Sequence, residues 1–302
     1  MKNGIEDEKF YIDVTACSRP IGNFRQELEL KCQQIATNDK IIISLSGGVD
    51  SQLLLHTFAS QGLPYQCAFL LHPGFNDNEY ENVKILEKKY GFNSHVVTLD
   101  PIQIKEEIES LSRISGVIPE FHIKDIFFNQ LPEEYSILEG IEHTDMFLKN
   151  GRWTIIESRF SIDLPATWIY KNRKVIHIDR RNFDGDELHL SMITDDVFEA
   201  YRYSYNYIKH NGLVESSTGK PPILSLHSWD YYTKPMLYGK YWKDEIIYFP
   251  KFAVQHEIEY LLDPKTRLDY TTQVVHIDLE EAIDILSDFG SGRTKRFWQQ
   301  DR

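Results

Sequence analysis

The sequence predicts an α/β protein: a doubly wound, mostly parallel sheet with helices on both faces, followed by a C-terminal half of mixed α+β character. Three observations predict it. Apolar, β-branched runs alternate with amphipathic stretches between residues 41 and 140, and glycine or proline marks most of the junctions. Ile41-Ile42-Ile43 is a run that fits a strand buried on both faces, as in parallel sheets covered by helices.

Taken in order, residues 1–40 read as an N-terminal helical extension. Asn23 to Ala36 sets Phe24, Leu28, Leu30, Ile35 and Ala36 roughly on one side of a helix that ends near Asn38-Asp39. An α/β domain spans 41–150. Its first strand ends in Ser44, Leu45, Ser46, Gly47 and Gly48, and Val49 to Ser60 then carries Val49, Leu53, Leu54 and Phe58 at helical spacing. Tyr65 to His72 is a second buried strand, broken by Pro73-Gly74; Asn78 to Tyr90 is a charged amphipathic helix stopped by Gly91. Ser94 to Leu99 is a third strand, and Ile102 to Ile114 a helix ending at Gly116. Tyr135 to Glu139 is a fourth strand, running into Gly140. Such a series implies right-handed crossovers, with any ligand at the carboxyl ends of the strands.

Residues 151–302 change character and read as a substrate or partner region. Trp153 to Ile156, Ala166 to Tyr170 and Lys174 to Asp179 are short strand-like segments of an insertion, with Lys171-Asn172-Arg173 as a hairpin turn. Asp184-Gly185-Asp186-Glu187 lacks the full oxygen set of a calcium loop and reads as an acidic turn. Thr194 to Lys209 is an aromatic-rich helix and 211–222 a polar loop. Asp278 caps a last helix, Leu279 to Phe289, and the basic tail from Gly290 reads as a disordered end, with closure over bound polyphosphate as the alternative.

Composition narrows the function classes. A net charge of −13 disfavours a protein that grips a nucleic-acid backbone. The three cysteines, Cys17, Cys32 and Cys67, are scattered and form no Cys-x-x-Cys pair, so neither a disulfide framework nor a zinc knuckle is indicated. With no apolar run near the ~18 residues that span a bilayer and an acidic, polar N-terminus, a cytoplasmic protein without membrane contact is expected.

The chemistry concentrates in Ile41 to Ser51, IIISLSGGVDS. A strand, a glycine turn and a helix N-terminus in that order gather unpaired N–H groups where the helix dipole favours an anion, most simply phosphate. Gly47 and Gly48 let the backbone approach, and Ser46 and Ser51 add hydroxyls. Asp50 would repel bare phosphate, so it makes sense with a Mg²⁺ between them. The turn has no Walker lysine. A Gly-Gly turn capped by Ser and Asp is the purely structural alternative.

The residues SGGVDS resemble the signature of the PP-loop ATP pyrophosphatases, the superfamily containing GMP synthetase, NAD synthetase and the asparagine synthetase C-terminal domain. The resemblance implies that Ser44, Ser46, Gly47, Gly48, Val49, Asp50 and Ser51 hold the β- and γ-phosphates of ATP. It implies too that Phe69, Leu70, Leu71 and His72, at the end of the second strand, hold adenine mainly through backbone groups. Gly140 followed by Asp145 resembles a second family element, giving Asp50 and Asp145 as Mg²⁺ ligands and catalytic residues, with Glu139 and Glu142 as substitutes. A looser similarity covers Lys234 to Ile246, where a Pro-Leu-type pair precedes a Lys-x-Glu-Ile helix start. It makes Lys243 a catalytic candidate and Lys251 a second one.

The implied cofactors are ATP and Mg²⁺, and the implied activity is adenylation of a carboxylate or carbonyl oxygen with release of pyrophosphate, then amide or C–N bond formation. The 40 residues before the first strand are too few for a glutaminase, so free ammonia, a substrate amine or a separate ammonia-supplying subunit would provide nitrogen. The alternatives are a base-modifying enzyme acting on tRNA or a deazapurine, and a non-catalytic adenine-nucleotide-binding module. The substrate is an unidentified small molecule or protein, and a homodimer is the default assembly.

Overall fold

The computed structural model describes residues 11–115, 119–140, 145–149, 152–158, 174–178, 187–188, 199, 234–247, 249 and 274–298. Its centre is a five-stranded sheet of β2 (Ile41–Leu45), β3 (Gln66–Leu71), β4 (His95–Thr98), β5 (Ser136–Glu139) and β8 (Val175–His177), in the order β4-β3-β2-β5-β8. Every neighbouring pair is parallel, with Ile43 opposite Cys67 on one side and Leu138 on the other.

Side-chain alternation divides the core in two. Ile42, Ala68 and Ile137 join Ile108 of α4 (Pro101–Ser115) and Ile123, Phe127 and Phe128 of α5 (Pro119–Phe128). Ile41, Ile43, Phe69 and Leu138 instead face α1 (Phe24–Asn38), α2 (Val49–Ser60) and α3 (Asp77–Tyr90), through Leu28, Cys32, Leu53, Phe58, Val83 and Leu86. Helices therefore flank both faces, and the three isoleucines are at most 1% exposed. Burying each such side chain stabilises the fold by roughly 1.5–3 kcal/mol.

Local chemistry sets the boundaries of these elements. Asn23 accepts from the Gln26 N–H while the Gln26 side chain accepts from the Asn23 N–H, a capping box that starts α1. Gly91, at φ +70°, ends α3 in the left-handed region where glycine has no Cβ to clash. Pro101 opens α4 at a position with no intrahelical N–H bond to lose. Among the described residues no helix is long and apolar enough to cross a membrane.

Several expectations need correction. A strand precedes Ile41: β1 (Tyr11–Thr15) pairs antiparallel with β11 (Thr294–Trp298) and parallel with β9 (Glu187–Leu188). The basic tail is thus a strand as far as Trp298. Its charges have local partners, Arg296 bidentate to Asp13 at 2.6 Å and Lys295 to Glu281, while Phe297 is buried. A helix, α5, lies between α4 and β5 where none was expected.

Val175–His177 belongs to the main parallel sheet and not to an inserted one, pairing with β5 at Leu138 and Ile176. The expected boundary at 150 falls between Lys149 and Arg152, which pair in the antiparallel hairpin of β6 (Asp145–Lys149) and β7 (Arg152–Ser158). Antiparallel β10 (Val274–Asp278) lies on the other side of β7. Asp278 accepts from the Glu281 N–H and caps α7 (Leu279–Leu286), as expected. The segments at Ala166–Tyr170, Lys171–Arg173, Asp184–Asp186 and 211–222, and all of 194–209 but Glu199, lie outside the described residues.

The helix expected to begin at Lys243 is instead α6 (Lys234–Trp242), which stops there. Leu237, Tyr238 and Trp242 are buried on it, and the Glu245 and Ile246 N–H groups fold back onto the Trp242 carbonyl, 2.9 and 3.1 Å away. Gln52 of α2 secures this return, donating to the Ile247 carbonyl at 2.9 Å and accepting from its N–H at 2.6 Å.

Candidate functional site

The strand order reverses between β2 and β5, because β3 and β4 follow on one side and β5 and β8 on the other. In an open parallel sheet, the two loops at such a reversal leave in opposite directions and open a crevice at the carboxyl ends. The turn after β2 and the residue after β5 meet there: a Cβ added to Gly140 would lie 3.8 Å from the Asp50 Cβ. Ser46 to Ser51 and Gly140 are thus brought together from distant parts of the chain.

Within the turn, the two serines organise the backbone. The Ser46 N–H donates to Ser51 Oγ at 3.1 Å, Ser51 Oγ donates to the Gly48 carbonyl at 3.1 Å, and the Gly48 N–H donates to Ser46 Oγ at 3.3 Å. The hydroxyls lie 3.2 Å apart. Gly48 is the N-cap of α2 and has no side chain that could cap the helix. Gly47 adopts φ +70° and packs against α3, where a Cβ would come within 3.0 Å of the Glu79 carbonyl oxygen and 3.1 Å of its Cβ. Conformation and space both require glycine at 47.

Asp50 lies in the first turn of α2, beside Gly140. The Tyr238 hydroxyl donates to Asp50 Oδ1 at 2.8 Å, from a ring that is fully buried. Tyr238 stands between Phe24, stacked at 6.1 Å, and Trp242, edge-on at 6.0 Å, so its position is determined by packing. Nothing local in the sequence joins residue 238 to residue 50, and the reading of the sequence missed the pair.

At the end of β3, Phe69 is buried and stacks on Tyr80 at 5.5 Å, while Leu70 and Leu71 are half-buried. His72 is buried, with Nδ1 2.8 Å from the Leu99 carbonyl, so Nδ1 carries the donated proton. Burial pushes its pKa below the ordinary value, partly opposed by that carbonyl and by Asp100. The imidazole is thus tied to the end of β4. Asn76 bonds to both Leu70 and His72 and was missed as well.

Ser44, Lys243 and Glu139 stand outside this turn, while Glu142, Lys251 and the Asp145 side chain lie outside the described residues. Ser44 is within β2, opposite Ala68. Asp145 opens β6; residues 141–144 lie outside the described residues as well. Lys243 is exposed in the turn after α6, and among the described residues no hydrogen bond or ion pair joins it to the Ser46–Ser51 turn. Glu139, at the end of β5, faces Lys124 Nζ at 3.1 Å.

Among the described residues, no three His, Cys, Asp or Glu side chains converge as a self-sufficient metal cage. Magnesium ordinarily retains several waters and takes one or two carboxylates plus substrate phosphates, a role the donor type and position of Asp50 fit.

No protein-family model matches the chain. An uncharacterized protein of Methanocaldococcus jannaschii is 32% identical over 118 residues, which make up 36% of this chain and 42% of that protein. The structure of NMN synthetase from Francisella tularensis aligns with 38% of this chain and 52% of its own, at 15% identity and a TM-score of 0.28. The chain thus spans less than half the length of the first and about half the length of the second, and these likenesses place it in no family.

Proposed function

We propose that this chain is an ATP-dependent adenylating enzyme, and that the turn from Ser46 to Ser51 holds the β- and γ-phosphates. The observation that carries the reading is the position of that turn. It lies at the reversal of a parallel sheet, on a helix whose N-cap has no side chain, with Asp50 against Gly140. First-turn N–H groups and the dipole of α2 would receive phosphate oxygens. The hydroxyls of Ser46 and Ser51, now bonded to the turn itself, would exchange those bonds for the same oxygens. The alternation of the two cores across the sheet supports a doubly wound arrangement.

In the reaction, a carboxylate oxygen of the substrate attacks the α-phosphorus, the bond to the β-phosphate oxygen breaks, and pyrophosphate leaves. An amine then attacks the acyl carbon of the mixed anhydride, giving an amide, AMP and a proton. Asp50, with Asp145 as a second candidate, would hold Mg²⁺, which when bound offsets phosphate charge. The turn's N–H groups would stabilise the charge gathering on departing pyrophosphate. Tyr238 holds the Asp50 carboxylate in place.

Incubation with α-labelled ATP, Mg²⁺ and a pool of small carboxylates tests the proposal. AMP and pyrophosphate are expected, and Asp50→Asn should reduce AMP formation to background while leaving the circular dichroism spectrum unchanged. Release of ADP and inorganic phosphate would overturn the chemistry. AMP formation triggered by RNA or a deazapurine, and not by carboxylates, would move the reading to base modification.

A further inference from the structure

Asn76 occupies the N-cap position of α3, where asparagine ordinarily accepts a bond from the first turn, yet its side chain makes no capping bond. It turns back onto the end of β3. There Nδ2 donates to the Leu70 carbonyl at 2.8 Å and Oδ1 accepts from the His72 N–H at 2.6 Å. The carbonyl of intervening Leu71 points the other way, accepting from the Leu99 N–H at 2.9 Å on the β4 side. The Leu70 carbonyl and His72 N–H therefore face the β2 side, just past the last β2–β3 pair, Leu45 with Phe69. They go unpaired by strand because β2 ends at Leu45 and bends into the glycine turn.

A planar carboxamide presents one donor and one acceptor side by side. A 6-aminopurine presents the same edge: its exocyclic amine donates and its ring N1 accepts. A 6-oxopurine has the two roles interchanged, so it would set acceptor against the Leu70 carbonyl and donor against the His72 N–H.

We propose that Asn76 is a resident substitute for the base, holding the strand edge until a 6-aminopurine takes its place. A 6-aminopurine displaces the carboxamide from Leu70 and His72, and Asn76 then turns to cap α3; a 6-oxopurine cannot repay the two bonds it would break. The inference rests on the Ser46–Ser51 turn being the phosphate site. The first turn of α3 lies against that turn through Glu79 and Gly47, so the base edge and the phosphate turn adjoin.

Calorimetric titration of the wild type and Asn76→Ser with ATP and with GTP, each with Mg²⁺, tests it. Serine caps helices well but is too short to reach the strand end. The variant should bind ATP about ten-fold more tightly, because no side chain competes for the edge, and should still discriminate against GTP. ATP binding that is unchanged or weaker in the variant overturns this proposal and leaves the phosphate site standing. Absence of ATP binding by both proteins overturns both. In the wild type, which needs no variant to fold, the Asn76 side-chain amide resonances should shift on saturation with ATP; resonances that stay in place overturn the proposal.

Discussion

Tyr238 shows how one distant residue can determine the competence of a site. Its hydroxyl is held within the buried stack of Phe24 and Trp242, so it restricts Asp50 to one orientation before any ligand arrives. Tyr238→Phe removes this bond and keeps the ring. Because a bond to a charged partner contributes about 1.5–3 kcal/mol, the turnover number should fall on the order of ten-fold, with little change in KM for ATP. Steady-state kinetics over a range of Mg²⁺ checks this, and an unchanged turnover number would remove Tyr238 from the mechanism. The cysteines sit at the opposite extreme. Burial raises the pKa of Cys32 and Cys67, so little thiolate exists at neutral pH, in keeping with a chemistry that uses no sulfur nucleophile.

At the scale of elements, α2 links the turn to the rest of the molecule. Its N-terminus carries Asp50, its middle carries Gln52, which grips both backbone groups of Ile247, and its later turn carries His56. Gln52→Ala leaves both Ile247 groups without that partner and should lower the unfolding free energy by about 2–4 kcal/mol, read as a fall in the urea midpoint. The glycine turn and α2 were legible beforehand because the signal is contiguous: a β-branched run, Gly-Gly, then helical spacing. The hairpin of β6 and β7 left its mark in Asn150-Gly151, a strong turn dipeptide between paired Lys149 and Arg152 that the reading did not use. β1 and β11 were harder to see, since short strands bearing Asp13, Lys295 and Arg296 lack an apolar run. The Lys243 helix start failed because Leu237, Tyr238 and Trp242 give their burial to the preceding turns. Tyr238 with Asp50, and Asn76 with Leu70 and His72, depend on tertiary placement that local pattern does not encode.

For the whole molecule, acid stability follows from two buried imidazoles. His56 Nδ1 lies 3.1 Å from the Tyr90 hydroxyl, and Nε2 lies 2.7 Å from Glu245 Oε2, close but out of line for a hydrogen bond. Burial lowers the His56 pKa from its ordinary 6.5, with Glu245 opposing and Lys89 and Arg25 adding to the fall. Burial lowers that of His72 too. Between the folded and the unfolded pKa values the unfolded chain therefore binds more protons than the folded one. The stability these histidines contribute should be complete above about pH 6.5 and decline as the pH falls through 6.5 toward their lower folded values. Urea midpoints at pH 7.5 and 5.5 check the sign; a higher midpoint at pH 5.5 would contradict it.

The pairing of β1 with β11 joins Asp13 to Arg296, 283 residues apart. On the ribosome, the parallel sheet can assemble from segments already made, but β1 must wait without this neighbour until β11 emerges. Translation therefore delays closure of this small sheet until β11 has been made, and a nascent chain carries an open β1 edge over the whole of that interval.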